Sequence, residues 1–81
     1  MLRIATKTQS TPDQVIKKAI NFFGPEGLKL KITTQTETTA TFEQDEGSVT
    51  ISATKDRGKT SVELTTRDWE SQVEEFIMMI H

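Results

Sequence analysis

The segment VTISATKDRGKTSVELT, residues 49–65, decides the fold of this chain of 81 residues. Apolar side chains alternate with hydroxyl and charged ones on both sides of its centre, which is typical of two strands that each bury one face. Asp56-Arg57-Gly58 supplies a tight connection, because glycine tolerates the positive φ that such turns require. The segment therefore predicts an antiparallel hairpin with one apolar face.

The same period of two recurs in three other segments. They are Leu2 to Thr8, Leu28 to Thr33, and the short stretch Ala40 to Phe42. Residues 36–39 and 44–47 have the composition of turns and separate neighbouring strands. Turns thus recur roughly every ten residues, as in a meander. We expect five antiparallel strands.

A first helix is predicted between the first two strands. Thr11 is the expected N-cap, Pro12 the first helical residue and Gln14 the partner in a capping box. Gly24 followed by Pro25 ends the helix, because proline cannot continue it. The helical period places on one side Val15, Ile16, Ala19, Ile20, Phe22 and Phe23.

A second helix is predicted after the last strand, running nearly to His81. Asp68 or Thr66 is its expected N-cap. Its apolar residues share one arc of the helix, namely Trp69, Val73, Phe76, Ile77 and Ile80. Its charged residues Glu70, Glu74 and Glu75 point elsewhere.

The resulting order is β-α-β-β-β-β-α. Each strand and each helix has one apolar face to bury. Two layers are enough to bury all of these faces together if both helices lie on the same side of the sheet. We therefore predict a single α+β domain over residues 1–81, with a curved antiparallel sheet and two helices on one face. The other face, rich in threonine and lysine, meets water.

Composition excludes several function classes. The net charge of -2, from 10 basic and 12 acidic residues, gives no overall field that would attract nucleic acid or anionic lipid. The longest apolar run, residues 76–80, is far shorter than the ~20 residues of a membrane span. Residues 1–10 lack the apolar core of a signal peptide, and cysteine is absent. A soluble cytoplasmic protein without membrane association is the expectation.

Catalytic and metal-binding residues are not predicted. Cysteine and tyrosine are absent, and the only histidine is the final residue, His81. The hydroxyl groups therefore lack an activating base. Glu43, Asp45 and Glu46 cluster at a turn, but their spacing is not that of a calcium loop, so a solvated turn is the preferred interpretation. No catalytic residue, cofactor or metal ligand is assigned.

Nucleic-acid binding is disfavoured. Arg3, Lys7, Lys29 and Lys31 would form a basic stripe if the first and second strands lay on the same side of the sheet. Sheets that read RNA also expose aromatic side chains for base stacking. Here Phe42 belongs to the apolar series, and the other aromatic residues fall on helices.

Candidate ligand or interface residues lie on the last helix: Trp69, Phe76, Met78 and Met79. Trp69 is expected to pack its ring under the sheet, with its N–H bonded near the helix start. Met78 points away from the core face, and exposed methionine suits adaptable contacts with a second copy or a protein partner. The alternative is a frayed final turn.

Two stretches resemble a known group of proteins. The strand Leu2 to Thr8, followed by Ser10-Thr11-Pro12-Asp13-Gln14-Val15, resembles the first strand and helix entry of START-type and pollen-allergen-type helix-grip proteins. The segment Trp69 to Ile80 resembles their C-terminal grip helix. The order of elements also resembles one repeat of the TATA-binding-protein-like fold. The resemblance implies a fold more than an activity.

Three functions stay open. The preferred one is a small non-enzymatic interaction module that acts through a protein partner or self-association. The alternative is a reduced helix-grip domain that binds a small apolar ligand between C-terminal helix and sheet, which requires a pocket of several hundred Å³. An enzyme working through carboxylates alone ranks last. Association through an unpaired sheet edge is also open, by the first strand or by either outer strand of the meander.

Overall fold

A computed structural model describes residues 2–80. Met1 and His81, and with His81 the predicted end of the last helix, lie outside the described residues. The elements are β1 (Leu2–Thr8), α1 (Pro12–Phe23), β2 (Lys31–Gln35), β3 (Thr39–Gln44), β4 (Gly47–Asp56), β5 (Lys59–Arg67) and α2 (Glu70–Ile80). This order is the predicted β-α-β-β-β-β-α.

The sheet has the strand order β1-β5-β4-β3-β2, and every neighbouring pair is antiparallel. Strands β2 to β5 form a meander, and β1 adds to it beside β5. The edges are therefore β1 and β2. The sequence leaves the last strand of the meander, β5, open as an edge, and this alternative is wrong, because β5 lies between β1 and β4.

Both helices cover the same face of the sheet, as predicted. The first helix lies over β3 and β4, whereas α2 lies over β5 and β1. The two helices meet through aromatic rings, with the Phe76 centroid 5.8 Å from that of Phe22 and 5.5 Å from that of Phe23. The architecture is thus a two-layer α+β fold.

One core joins the two layers. Val15, Ile51, Leu64 and Phe76, which come from four different elements, are all fully buried in the same cluster. On the central strands the buried residues alternate with partly or fully exposed hydroxyl and charged residues. The alternation read from residues 49–65 therefore sets which face of the sheet is dry.

The start of α1 follows the prediction. Pro12 is its first residue, and the Thr11 N–H donates to Gln14 Oε1 at 3.1 Å. The Thr11 hydroxyl donates to Asp13 Oδ1 at 2.7 Å. This hydrogen bond lowers the pKa of the Asp13 carboxyl, because it stabilises the charged form.

The prediction that the second strand begins near Leu28 is wrong, because β2 begins at Lys31. The preceding residues turn back onto the end of α1. The Leu28 N–H donates to the Phe22 carbonyl, and the Leu30 N–H to the Phe23 carbonyl, both at 2.9 Å. Carbonyls at a helix end lack partners within the helix, so they accept the N–H groups of this segment, which pairs with the helix end and not with the sheet.

The predicted N-caps of α2 are also wrong. The helix begins at Glu70, and the Trp69 carbonyl accepts the Val73 N–H at 3.0 Å, so Trp69 holds the cap position. Asp68 has a left-handed φ of 71°, which turns the chain from β5 into the helix. Thr66 belongs to β5, and its hydroxyl donates to a β4 carbonyl at 2.8 Å.

Candidate functional site

The four candidate residues on α2 occupy three different environments. Phe76 is fully buried and packs against the aromatic rings of α1, so it is part of the core. Trp69 is half-buried just before the first turn of α2. Met78 and Met79 lie in the last turn, at the other end of the helix. The structure therefore does not bring the four together within one copy.

The two methionines are the large apolar side chains that stand exposed among residues 2–80. Met78 is 78% exposed and Met79 is 53% exposed. The final turn that carries them is attached to the sheet, because Ile80 is buried and its carbonyl accepts the Thr8 hydroxyl at 2.6 Å. The methionines are thus presented on a fixed turn, which argues against the fraying alternative.

Three lysines surround this end of α2. Lys7 comes from β1, Lys18 from α1 and Lys59 from the first position of β5. Together with Met79 they line an open groove of about 470 Å³, which we call the basic groove. Its other lining residues are Thr8, Gln9, Ser10 and Ile80. No sequence pattern predicts this groove, since positions 7, 18 and 59 meet only through the tertiary fold.

Most of this positive charge is uncompensated. Lys7 Nζ lies 3.2 Å from Asp56 Oδ2, and both side chains are about half exposed. Within the described part of the chain, Lys18 and Lys59 have no carboxylate within 4.0 Å. The basic groove therefore keeps a local excess of positive charge.

Met79 also borders a second, smaller depression between the helices. Lys18, Asn21, Phe22 and Met79 line this space of about 300 Å³. Phe22 is only half-buried there. The exposed apolar surface at this end of the molecule thus extends from the last turn of α2 onto α1.

A groove lined by acidic side chains lies at the opposite end of the molecule. Asp45, Glu46 and Asp68 line it together with Trp69, Gln44 and Gly47, over about 510 Å³. We call it the acidic groove. The turn between β3 and β4 meets the start of α2 because Ser48 stands opposite Arg67 in the β4–β5 pairing. The hairpin turn at residues 56–59 already implies that register, so this groove could have been inferred from the sequence.

Trp69 forms one wall of the acidic groove by lying against Gly47. A Cβ atom at Gly47 would stand 2.5 Å from Trp69 Nε1 and 2.9 Å from Trp69 Cδ1. Only glycine leaves room for this close approach of the ring to the backbone. The expected acceptor for the indole N–H near the helix start is not found among residues 2–80. Trp69 thus lines the groove with the Nε1 and Cδ1 side of its ring against Gly47.

The acidic turn shows no metal-ion geometry. Within residues 2–80 no three side chains of the ligating types Asp, Glu, His or Cys converge as a metal site would require. Glu43 lies on the outer side of β3, opposite Ser48. Asp45, Glu46 and Asp68 form no ion pair within the described residues. Their charges are thus left to solvent or to a partner.

The basic stripe, which depended on β1 and β2 lying on the same side of the sheet, does not form. β1 and β2 are opposite edges of the sheet, so Arg3 and Lys7 lie far from Lys31. Arg3 also pairs with Glu63 at 2.8 Å across the β1–β5 ladder. Lys29 has a left-handed φ of 67° in the loop before β2. The condition on which the stripe depended, two basic strands on the same side, is therefore not met.

The space between α2 and the sheet is occupied by side chains. The Phe23 ring lies 5.5 Å from the rings of both Phe42 and Phe76, and all three residues are fully buried. The grooves described above open to solvent at the two ends of the molecule. A further open groove of about 360 Å³ lies between α1 and the β2–β3 turn, lined by Ile16, Ile20 and charged residues.

Comparison with protein-family models, with curated proteins and with solved structures yields no match to this chain. Among residues 2–80, no helix combines the length and the apolar character needed to cross a bilayer.

Proposed function

We propose that this chain is a small non-enzymatic interaction module that binds another polypeptide through the last turn of α2. The observation that carries the proposal is the exposure of Met78 and Met79 on a turn that Thr8 fixes to the sheet. Flexible, polarisable methionine side chains suit contact surfaces that adapt to a partner. The half-buried Phe22 enlarges the apolar area beside them.

The size of the exposed surface favours a weak and reversible contact. Burying a methionine side chain completely stabilises a complex by about 1.5–3 kcal/mol, and the two residues begin partly covered. Association itself opposes this gain through lost translational and rotational freedom. A module of this kind acts through transient contacts unless charge complementarity adds to the apolar contact.

The small-ligand alternative has less support. A helix-grip domain would hold its ligand between the C-terminal helix and the sheet, where this chain places Phe23, Phe42 and Phe76. The enzyme alternative would rest on the carboxylates of the acidic groove, whose described lining offers no histidine, lysine or hydroxyl side chain beside them. Neither has an observation in its favour comparable to the exposed methionines.

Light scattering coupled to size-exclusion chromatography tests the proposal. We expect the average mass of the wild-type chain to rise above 9.1 kDa as concentration increases, and Met78→Glu to remove this rise. Thr34→Glu is the matched control, because it adds the same charge to an exposed position on β2, at the sheet edge away from α2. A rise in mass that Met78→Glu leaves unchanged would overturn the role given to this turn.

A further inference from the structure

The two ends of the molecule differ in the sign of their charge, and α2 connects them. The helix starts beside the acidic groove and ends at the basic groove, and its 11 residues span about 16 Å at 1.5 Å per residue. The longest dimension of the molecule is 37 Å. Among the described residues, the acidic groove presents carboxylates without an ion pair, whereas the basic groove presents Lys18 and Lys59 without one.

We propose that the polypeptide bound by the last turn of α2 is a second copy of this chain, joined head to tail. Met78 and Met79 of one copy enter the acidic groove of the next and contact its Trp69. This inference rests on the proposed function, and it identifies the partner and the surface that receives the methionines.

Charge complementarity selects this arrangement over a symmetric one. Lys18 and Lys59 line the basic groove together with Met79, and Asp45 and Glu46 line the receiving groove. Joining unlike ends brings lysines to carboxylates that have no partner within the described chain. Joining like ends would oppose lysine to lysine or carboxylate to carboxylate, which is unfavourable.

The apolar contact matches as well. Trp69 is half-buried and forms a wall of a groove of about 510 Å³ that is open to solvent. A thioether beside an indole ring is a favourable pair, most often at the ring edge. Aromatic residues in partly desolvated pockets also contribute most at protein interfaces. One end thus supplies lysines and methionines, and the other supplies carboxylates and Trp69.

Head-to-tail contact has a structural consequence that a symmetric dimer lacks. A heterologous interface leaves one free end of each kind after every addition, so assembly continues into an open chain or closes into a ring. Blocking a single end in each of two variants converts this assembly into a complementary pair that cannot grow.

The experiment uses two such variants. One carries Asp45→Asn and Glu46→Lys in the acidic groove, where asparagine tolerates the left-handed φ of 54° at position 45. The other carries Met78→Gln and Met79→Gln, which keep the side-chain length but remove the apolar character. Circular dichroism and thermal unfolding establish that both variants are folded.

We expect each variant alone to associate at least about tenfold more weakly than wild type. An equimolar mixture should give a dimer of twice 9.1 kDa and nothing larger, because each variant retains the end that the other lacks. The emission of the chain's only tryptophan should change on mixing. Association of the acidic-groove variant at wild-type strength would overturn the inference, and a mixture that stays monomeric would do the same.

The outcomes separate this inference from the proposed function. If Met78→Glu removes association but the acidic-groove variant associates normally, the methionine turn acts and its partner surface lies elsewhere. The contribution of charge to association is tested by raising the salt concentration. The Debye length falls from about 10 Å at 0.1 M to about 3 Å at 1 M, which weakens the attraction between exposed charges. Lys18→Glu should weaken association more than the matched control Lys17→Glu, which lies one position away and outside the basic groove.

Discussion

Phe76 and Met78 lie two residues apart on α2, yet truncating them should affect stability very differently. Truncating Phe76 should lower the free energy of unfolding strongly, whereas truncating Met78 should leave it almost unchanged. Phe76 is fully buried, with ring neighbours in α1 at 5.5 and 5.8 Å, whereas Met78 is 78% exposed. Replacing a buried phenylalanine by alanine costs about 3–5 kcal/mol, because apolar contacts are lost and a cavity remains. Truncating an exposed side chain changes the free energy of unfolding by less than about 0.5 kcal/mol.

The size of this loss matters for so small a domain. At about 0.05–0.15 kcal/mol per residue, 81 residues give a free energy of unfolding of about 4–12 kcal/mol. Phe76→Ala should therefore remove about a quarter or more of the stability, or unfold the chain altogether. Phe76→Leu, which keeps most of the volume, should leave a measurable transition with a smaller loss.

Urea denaturation followed by circular dichroism measures both effects at a protein concentration low enough to keep the chain monomeric. The midpoint should fall sharply for Phe76→Ala and stay at the wild-type value for Met78→Ala. Equal shifts for the two alanine variants would refute the assignment of Phe76 to the core and of Met78 to the surface. An unchanged midpoint for Phe76→Ala would refute the packing of the two helices against each other.

Three further outcomes follow from single contacts. Gly47→Ala should shift the fluorescence emission of Trp69 and cost about 1–3 kcal/mol, because the new methyl group would stand 2.5 Å from the indole nitrogen; unchanged emission would contradict this contact. Thr66→Val should lower the free energy of unfolding by about 0.5–1.5 kcal/mol in urea denaturation, because the hydroxyl donates to a β4 carbonyl at 2.8 Å. An unchanged free energy of unfolding would show that this hydrogen bond does not stabilise the fold. The Thr11 hydroxyl lowers the pKa of Asp13, so this carboxylate stabilises the fold above its unfolded pKa and loses that contribution as pH falls through its lower folded pKa. Asp13→Asn should therefore reduce the loss of stability below about pH 4, and an acid unfolding curve identical to wild type would contradict it.

The sheet and the helix faces could be predicted because they depend on local periodicity. The alternation through Val49, Ile51 and Leu64 fixes which side of each strand is apolar, and these residues are buried together. Thr11 and Pro12 place the start of α1 for an equally local reason, the hydrogen bonding of the first helical turn.

Other features depend on contacts between distant residues and could not be read from the alternation. The apolar period at Leu28 and Leu30 suggests a strand, but the N–H groups of these residues donate to carbonyls at the end of α1. Likewise the strand order places β1 and β2 at opposite edges, which separates Arg3 from Lys31. Tertiary hydrogen bonding explains why the first of these two features differs from the local pattern, and strand topology explains the second.

The candidate site could be predicted only in part. Met78 follows from helical geometry alone, because it points away from the apolar arc of α2. The acidic groove could have been recognised from the register that the hairpin turn imposes on β4 and β5. The basic groove could not, because Lys7 and Lys59 are brought together by pairing between β1 and β5 across more than half of the chain.

A spin label placed on α2 tests most directly whether the last turn of one copy meets the acidic groove of another. The chain has no cysteine, so Glu75→Cys provides a single attachment point at an exposed position near Met79. Unlabelled wild-type chain enriched in 15N is mixed with the spin-labelled chain, so that any line broadening arises between copies. We predict broadening of the amides of residues 44–47 and of the Trp69 indole. Broadening centred on Met78 and Lys18 of the enriched chain would show a symmetric contact, and uniform signals would show none; either result would contradict head-to-tail association.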